Sequence, residues 1–411
     1  MTETLVEHFF RREYGRLVAL LTRRLGVARL ELVEDAVQSA LVHAMQAWPR
    51  AGTPADPAGW LYRAAKNAAT DTLRRDAAFA DKRPEFAAPT ATADERPDDH
   101  LIGDEQLRML FTCCHPELPD ESRLALALKV VCGFGVDEIA RALLTATANV
   151  QKRLTRAKDK LAEMGFNADE VPDADLPARR ESVHSVLYLL FNEGYHSSAE
   201  ADLIRRDLCA EAIRLAELLA THPTLGSPAS EALLALMRMH AARFDARQSA
   251  AGELLVLAEQ DRFRWDREMI RTAFFWLERS ARGDELSRYH LEAAILAEHC
   301  RAETFAETDW DRIISLYNLL CEREPHWLHA LNRAVAVAER HGPAAGLAAL
   351  DAIAPGGDIR YSHWHAARGE LLLRSGVSSA ARIAFTAARD LAATAAERAF
   401  LNGRMARCEV V

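Results

Sequence analysis

The chain has 411 residues, a net charge of −9 and seven scattered cysteines without CxxC spacing. This length predicts two to four domains, and the acidic balance argues against a protein that binds nucleic acid over its whole surface. The cysteines do not form a disulfide framework, and no apolar run approaches the ~20 residues of a membrane span, so we expect a soluble cytoplasmic protein. Alanine, leucine and arginine are abundant while alternating strand-like runs are scarce, which predicts an all-α fold.

Residues 1–80 are predicted to form a first domain of three amphipathic helices. The second helix covers LELVEDAVQSALVHAMQAWP, where apolar residues including Met45 recur at helical spacing and Pro49 is expected to end the helix. Its opposite face, expected to be exposed, carries Glu34, Asp35, Gln38 and His43. The third helix, AGWLYRAAKNAATDTLRRD, buries an alanine-rich stripe. Its exposed, mostly basic face carries Arg63, Lys66, Asn67, Asp71, Arg74 and Arg75.

Residues 81–104 are predicted to be an extended connector, because they contain three prolines, an acidic tail and no helical period. Residues 105–167 form the second predicted domain. Its most informative stretch is VDEIARALLTATANVQKRLTRAKDKL, which predicts two short helices joined by a tight turn. Val150, Leu154, Ala157 and Leu161 form an apolar stripe on the second helix.

The opposite face of this second helix is amide-bearing and basic, and we expect it to remain free. It consists of Gln151, Lys152, Thr155, Arg156 and Lys158, with Lys160 near the end. A helix seated by one apolar stripe with such a face has the groups that a recognition helix needs for base edges and phosphates. The alternative is a solvated basic helix of an ordinary bundle.

Two segments contain clusters of residues that can bind metals or transfer protons. Cys113-Cys114-His115-Pro116 allows a zinc site, but adjacent residues rarely converge on one tetrahedral ion, and small packing residues with a turn histidine are the favoured interpretation. FNEGYHSS, which begins at Phe191, allows three interpretations. In the first, Glu193 and His196 form an acid–base or metal pair. In the second, the segment is a structural joint in which Gly194 turns the chain. In the third, the segment contacts the first two domains and regulates them. No cofactor is predicted.

The remaining region, 178–411, is too long for a tail and predicts a further helical domain. Small and large residues alternate near its end in the pattern of a tetratricopeptide helix pair. They are Gly369, Leu372, Gly376, Ala381, Phe385 and Ala388. A weaker copy runs from Asn332 to Ala349 through Ala334, Val337 and Gly342. We predict an α-solenoid of such hairpins, with an irregular helical bundle as the alternative.

Several of these segments resemble a known family. EDAVQSALVHAMQAW, followed by a Pro-containing loop and GWLYRAAKNAATDTLRRD, resembles region two of bacterial sigma factors of the extracytoplasmic-function type. The VDEIA and NVQKRLTRAKDKL segments resemble region four. FTCCHPEL, YLLFNEGY, LLALMRMHAAR, RWDREMI, TDWDRIISLYNLL and LNRAVAVAERHGPAAGL resemble the group of these factors that carries a tetratricopeptide-like extension.

The resemblance implies a factor that binds core RNA polymerase and directs initiation at specific promoters. The polymerase contact would be made by Glu34, Asp35 and Gln38, whose acidic and amide groups suit a basic partner. The acidic part of the connector, which includes Asp94 and Glu95, would either mimic nucleic acid in the polymerase or act as a plain tether. The extension would regulate the factor by binding a protein or a ligand.

The same resemblance divides the DNA-binding candidates between two promoter elements. At −10, Asn67, Arg74 and Arg75 would hold the nontemplate strand and Arg63 and Lys66 would contact phosphates, whereas Trp60 either packs in the core or contacts a base. At −35, Gln151, Lys152, Thr155 and Arg156 are candidates for base edges, and Arg153, Lys158 and Lys160 for phosphates. Lys152 and Asn149 depart from the usual family pattern, so the family's common −35 sequence is not carried over.

Three other classes of protein make predictions that differ from those of a sigma factor. A helix-turn-helix regulator with a helical sensor would have no use for the KNAATDTLRR segment. An interaction scaffold would be insensitive to charge reversal at Lys152 and Arg156. An enzyme is disfavoured because the sequence has no P-loop, no HExxH, no glycine-rich nucleotide turn and no nucleophile elbow.

Overall fold

The computed structural model describes residues 3–79, 99–143, 145–164, 176–195, 204–249, 254–353, 360–392 and 394–409. These residues are helical apart from turns and one isolated bridge between Gln248 and Leu254, so the all-α prediction is confirmed. The chain divides into two compact units, 1–190 and 191–411, and each is described here by itself. Within the described residues, none of the helices is long and apolar enough to cross a membrane.

The first unit begins with three long helices, α1 (Glu3–Leu25), α2 (Leu30–Ala51) and α3 (Pro57–Phe79). The apolar stripe of α2 packs against α1 and α3, with Val33, Val37 and Ala44 fully buried. Two details of α2 correct the sequence predictions. Pro49 lies inside the last turn, and the helix ends at Ala51 before Gly52, whose φ of 84° favours glycine. Met45 is exposed, because the buried face of α2 is narrower than the spacing of its apolar residues suggests.

The first unit continues with α4 (Asp99–Cys113), α5 (Asp120–Val130), α6 (Val136–Ala142), α7 (Thr147–Met164) and α8 (Leu176–Tyr195). α4 begins at Asp99, inside the segment that the sequence predicts as the end of the connector. The acids Asp94 and Glu95 lie outside the described residues. α6 and α7 are the two helices of the predicted helix-turn-helix, and α7 packs on α5 and α6. The boundary between the two units falls within α8.

α1 also packs against the second group of helices in this unit. Gly15 lies so close to the end of α5 that a Cβ at this position would overlap the carbonyl oxygen of Val131. Arg11 forms an ion pair with Glu138 of α6 at 3.0 Å and lies over the ring of Phe134. Arg23 forms an ion pair with the buried Glu105 of α4. The predicted first and second domains are therefore joined tightly in this structure.

In its described residues, the second unit contains the end of α8 and ten further α-helices. They are α9 (Arg206–Thr221), α10 (Pro228–Ala241), α11 (Arg267–Ser280), α12 (Arg288–Arg301), α13 (Trp310–Arg323), α14 (Trp327–His341), α15 (Pro343–Ile353), α16 (Ser362–Arg374), α17 (Ser378–Leu391) and α18 (Ala395–Arg407). Several begin at polar caps: Ser227, Asp266 and Asp309 each accept a hydrogen bond from a backbone N–H of the first turn.

From α12 to α18, each helix packs against the next along the chain. Close approach is achieved by small residues facing large ones: a Cβ on Gly369 would lie 2.8 Å from the Phe385 ring, and Gly346 lies against Ala338. Ala381, Phe385 and Ala388 of the predicted repeat are buried in one cluster with Leu401. Neighbour-to-neighbour packing of this kind is what a helical repeat requires, whereas the solenoid itself stays a prediction.

The FNEGY segment is a packed part of the second unit. Gly194 lies inside α8 and does not turn the chain, which corrects the sequence interpretation. Its role is close approach, since a Cβ there would lie 2.7 Å from the sulfur of Cys209 and 2.8 Å from the carbonyl oxygen of Arg205. Tyr195 is buried. The neighbouring His196 lies outside the described residues, so the pairing of Glu193 with His196 stays untested.

Candidate nucleic-acid interface

The exposed face of α3 carries the five −10 candidates. Arg63, Lys66, Asn67, Arg74 and Arg75 are all exposed, while Leu61, Ala65 and Ala69 on the other side are buried. Arg74 has Asp71 at 3.9 Å, and Arg75 donates to the hydroxyl of Thr72 and to the carbonyl oxygen of Asp71. These contacts lie on a solvated surface, where they are weak enough for phosphates to replace them.

Trp60 lies at the edge of this face. Its ring is half-buried, with the rings of His43 and Trp48 at centroid distances of 5.4 and 5.7 Å. Both interpretations of Trp60 therefore stay open, since the ring packs on neighbouring aromatic side chains and retains an accessible part.

The apolar stripe of α7 is seated as the sequence predicts, with Val150, Leu154, Ala157 and Leu161 all buried. The four base-edge candidates project into solvent from the opposite face. They are Gln151, Lys152, Thr155 and Arg156. Their amide, hydroxyl and cationic groups are available to a DNA groove without any rearrangement of the helix.

The three phosphate candidates on α7 each pair with a carboxylate, so the expectation that Lys158 and Lys160 remain free is wrong. Arg153 forms an ion pair with Glu121 of α5. Lys160 forms one with Glu117 at 3.1 Å, and Lys158 forms one with Glu34 of α2 at 2.6 Å. Carboxylates thus pair with the three phosphate candidates of α7, whereas the side of the helix that carries the four base-edge candidates stays exposed.

The polymerase-contact candidates on α2 are also divided. Asp35 and Gln38 are exposed, as the sequence predicts. Glu34 is only 3% exposed, so its predicted exposure is wrong. The physical reason is that Tyr14 donates a 2.9 Å hydrogen bond to one carboxylate oxygen while the ammonium of Lys158 neutralises the other. Burial raises the pKa of Tyr14 well above its ordinary value, so the phenol stays a donor.

Sequence reasoning missed this network of Tyr14, Glu34 and Lys158. Tyr14 is buried within α1, and nothing in the local sequence pattern indicates a partner for its hydroxyl. The partners belong to segments up to 144 positions apart, so only the packing of α1, α2 and α7 brings them together.

The Cys-Cys-His-Pro segment lies at the end of α4. Cys113 and Cys114 are fully buried, and burial raises the pKa of the Cys114 thiol to about 12. Arg123 donates to the carbonyl oxygens of Pro116 and Leu118, which fixes the turn. The described residues contain no group of three or more side chains that could hold a metal ion. Protonated, enclosed thiols suit packing better than metal binding.

An all-helical scaffold therefore presents two basic or amide-bearing helical faces to solvent, and one of them is the second helix of a helix-turn-helix. A helix-turn-helix with such a face is the arrangement that one class of DNA-binding proteins uses. The sigma-70 region 2 family matches residues 9–79, and the sigma-70 region 4 family matches residues 108–161. A family of unknown function, DUF6596, matches residues 179–281.

The chain is also similar to two curated proteins, one of them a sigma factor. An uncharacterized protein of Rhizobium meliloti is 39% identical over 384 residues, which is 91% of this chain and 89% of the relative. The ECF RNA polymerase sigma factor SigM of Mycobacterium tuberculosis is 28% identical over 160 residues, which is 38% of this chain and 76% of the relative. No solved structure matches the chain. The chain belongs to the sigma-70 family: it is a sigma factor of the ECF type, and not an enzyme, with regions 2 and 4 followed by a DUF6596 extension.

Proposed function

We propose that this sigma factor binds core RNA polymerase through α2, melts and holds the −10 element with α3, and reads the −35 element with α7. The observation that carries the proposal is that the −10 candidates and the base-edge candidates project into solvent from two separate helices of one unit. One protein can then contact two promoter elements, while polymerase supplies the remaining contacts with DNA. A factor with this role acts in the cytoplasm, where the transcription machinery is.

The −10 assignment rests on residue type and position. Asn67, Arg74 and Arg75 line one exposed stripe, where an amide and two guanidinium groups can hold unstacked bases and the backbone of a single strand. We expect Asn67→Ala and Arg75→Ala to lower run-off transcription on duplex template. A template with a premelted −10 region should restore part of the activity, because melting is then no longer required of the protein.

The −35 assignment predicts sequence-dependent binding. Arg156→Ala should reduce transcription from a promoter with an intact −35 element and have less effect when that element is scrambled. Arg12→Ala on α1 is the matched control, since Arg12 is an exposed arginine outside every candidate surface. If both variants lose activity equally on both templates, α7 contributes only general charge.

The polymerase assignment is tested without DNA. Asp35→Asn should weaken binding to core RNA polymerase, whereas Glu31→Gln, an equal change of charge on the same helix, should not. Glu34 can contact polymerase only after its ion pair with Lys158 breaks, so its part in the proposal includes this conformational change.

We also propose that the extension regulates the factor through a helical-repeat domain. The test is run-off transcription on the DNA upstream of the protein's own gene, comparing the full chain with a version that ends at Leu190. A cut at Asn167 would be less suitable, because it removes Arg179, which is fully buried and donates to the carbonyl oxygen of Phe111 within the first unit. Activity only in the full chain would make the extension an activator, and activity only in the short version would make it an inhibitor. Equal activity would contradict regulation.

A further inference from the structure

The second unit contains a cluster of buried guanidinium groups that the sigma-factor function does not use. Arg243, Arg247 and Arg262 are 8%, 8% and 4% exposed. The guanidinium groups of Arg243 and Arg262 lie 5.5 and 5.0 Å from the centroid of the Trp265 ring. Arg247 lies 3.7 Å from the centroid of the Tyr195 ring. We call these three arginines with Trp265 and Tyr195 the arginine cluster.

Two of the three arginines are anchored by backbone oxygens. Arg262 donates to the carbonyl oxygens of His299 and Ala302, at the end of α12, and to the hydroxyl of Thr308. Arg247 donates to the carbonyl oxygen of Tyr195 at 2.6 Å. Both therefore hold segments of the unit together, as buried arginines commonly do.

Arg243 is the exception. Its only hydrogen bond among the described residues is a long one, 3.4 Å, from Nε to the side-chain oxygen of Gln260. The two terminal nitrogens have no partner there and are not fully enclosed, since they are absent from the atoms sealed away from solvent. The terminal nitrogens of this mostly buried guanidinium therefore keep a small contact with solvent and have donors to spare.

The charge of the cluster is not balanced within the described part of the chain, where none of the three arginines forms an ion pair with a carboxylate. Nearby acids have other partners: Glu259 pairs with Arg404, Asp266 caps α11, and Glu307, whose charge acts on Arg262 without an ion pair, accepts from the backbone N–H of Thr304. Burial, together with the neighbouring charge of Arg243, lowers the pKa of Arg247 and of Arg262. Burying like charges without a counter-ion is costly, so something else must offset it.

Further polar atoms around the cluster lack partners. Arg262 Nε, Trp265 Nε1 and His299 Nδ1 are sealed from solvent and have no hydrogen-bond partner among the described residues. Native proteins leave few such atoms, and those that remain commonly mark a bound water, ion or ligand.

We propose that the arginine cluster binds a small anion that carries a carboxylate or phosphate group, with Arg243 making the principal contact. A guanidinium fork matches either group in a two-point contact, and an anion there would neutralise three neighbouring positive charges. The narrow exposure of all three arginines favours a small molecule over a protein segment. Tyr195, Arg243 and Trp265 come from three segments that the sequence analysis singled out, FNEGY, LLALMRMHAAR and RWDREMI, and the cluster gives those segments a shared purpose.

The site lies wholly in the second unit, so the proposal goes beyond the sigma-factor function and does not depend on it. Loss of anion binding would leave the promoter assignments untouched, and loss of promoter recognition would leave the anion site untouched.

The test is thermal unfolding of the full chain in sodium phosphate and, separately, sodium citrate, with ionic strength held constant by sodium chloride. We expect a saturable rise in Tm, about 5 °C or more at roughly a hundred times the Kd. The probe with the lower Kd identifies the phosphate or the carboxylate source. No rise above the sodium chloride control with either probe would overturn the proposal.

Variants separate binding from structure. Arg243→Gln should weaken anion binding about tenfold or more while leaving the anion-free Tm unchanged or higher, because it removes a repelling charge. Arg243→Lys, which keeps the charge but loses the fork, should bind with intermediate affinity. Arg282→Gln, at an exposed arginine outside the cluster, should bind as the unaltered protein does. An anion-free Tm that falls in Arg243→Gln with an unchanged anion response would make Arg243 a structural residue, and so would sink the proposal.

Discussion

The ammonium of Lys158 on α7 lies 2.6 Å from the carboxylate of Glu34 on α2. One residue is a −35 candidate and the other is a polymerase candidate, so the two surfaces of the sigma factor are tied together at this point. With Tyr14 on the second carboxylate oxygen, the buried charge of Glu34 is neutralised and hydrogen-bonded. The same conformation therefore withholds both residues from their proposed partners.

The first prediction concerns the strength of this pair. Lys158→Met should destabilise the packing of α2 on α7 by about 1–3 kcal/mol, because it leaves Glu34 buried with only Tyr14 as a partner. Adding Glu34→Gln should recover about 1–2 kcal/mol in a double-mutant cycle. Hydrogen exchange of the amides in both helices measures the opening free energy in the full chain. Lys152→Met, at an exposed lysine of the same helix, should change it by less than about 0.5 kcal/mol.

The second prediction concerns the close approach of α1 to α5. Gly15→Ala places a Cβ on the carbonyl oxygen of Val131, so the two groups of helices in the first unit must move apart. We expect faster hydrogen exchange in α5 and a several-fold gain in affinity for core polymerase, because Glu34 becomes accessible. Gly135→Ala is the control, as its Cβ would meet only an ordinary 3.5 Å contact with Glu138. Unchanged exchange in α5 would show that the packing tolerates the methyl group.

The third prediction concerns the carboxylates along the flank of α7. Glu121→Gln releases Arg153, which is a phosphate candidate, and should raise affinity for duplex DNA a few-fold at low salt. Glu163→Gln makes an equal change of net charge on an exposed residue of α7 and should have a smaller effect. Filter binding over a range of salt concentrations distinguishes the two. Equal gains would mean that only net charge matters.

The fourth prediction concerns the packing of α16 on α17 and compares the same substitution, glycine to alanine, at two positions. Gly369→Ala forces a methyl group to 2.8 Å from the Phe385 ring and should destabilise the second unit by about 1–3 kcal/mol. Gly403→Ala on α18 meets nothing within 4 Å and should stabilise it by about 0.5–1 kcal/mol through helix propensity. Calorimetry should show Tm shifts of opposite sign, and shifts of the same sign would refute the close pairing of α16 with α17.

These sites also show what the sequence predicts and where prediction ends. The buried stripe from Val150 to Leu161 follows from local spacing, and the pattern of small and large residues predicts a helix pair that contains Gly369 and Phe385, whereas their direct contact is seen only in the structure. The pair of Lys158 with Glu34 joins residues 124 positions apart, and Gly15 meets Val131 across 116 positions. No periodicity relates such positions, so only the packed fold shows them. The arginine cluster was missed because its arginines come from separate segments that each look like an ordinary solvated helix end.

The fifth prediction is a pH dependence that arises from His299. Burial, with the charges of Arg243 and Arg262, lowers the pKa of His299 from an ordinary value near 6.5 to about 3. Between pH 3 and pH 6.5, His299 is protonated in the unfolded chain and neutral in the folded chain. The free energy of unfolding is therefore at its full value above pH 6.5 and decreases as the pH falls below 6.5. At pH 5 the loss should be about 2 kcal/mol relative to pH 7.5.

His299→Gln should remove this loss, so that its stability changes less between pH 7.5 and pH 5 than that of the unaltered protein. His341→Gln, at an exposed histidine on α14, should keep it. Urea unfolding followed by tryptophan fluorescence reports mainly on the second unit, which holds five of the seven tryptophans. The buffer must contain no phosphate or carboxylate, because an anion in the arginine cluster would offset the charges that keep His299 neutral and would raise its pKa. Adding phosphate should therefore flatten the pH dependence of the unaltered protein, and a profile that phosphate leaves unchanged would separate His299 from the cluster.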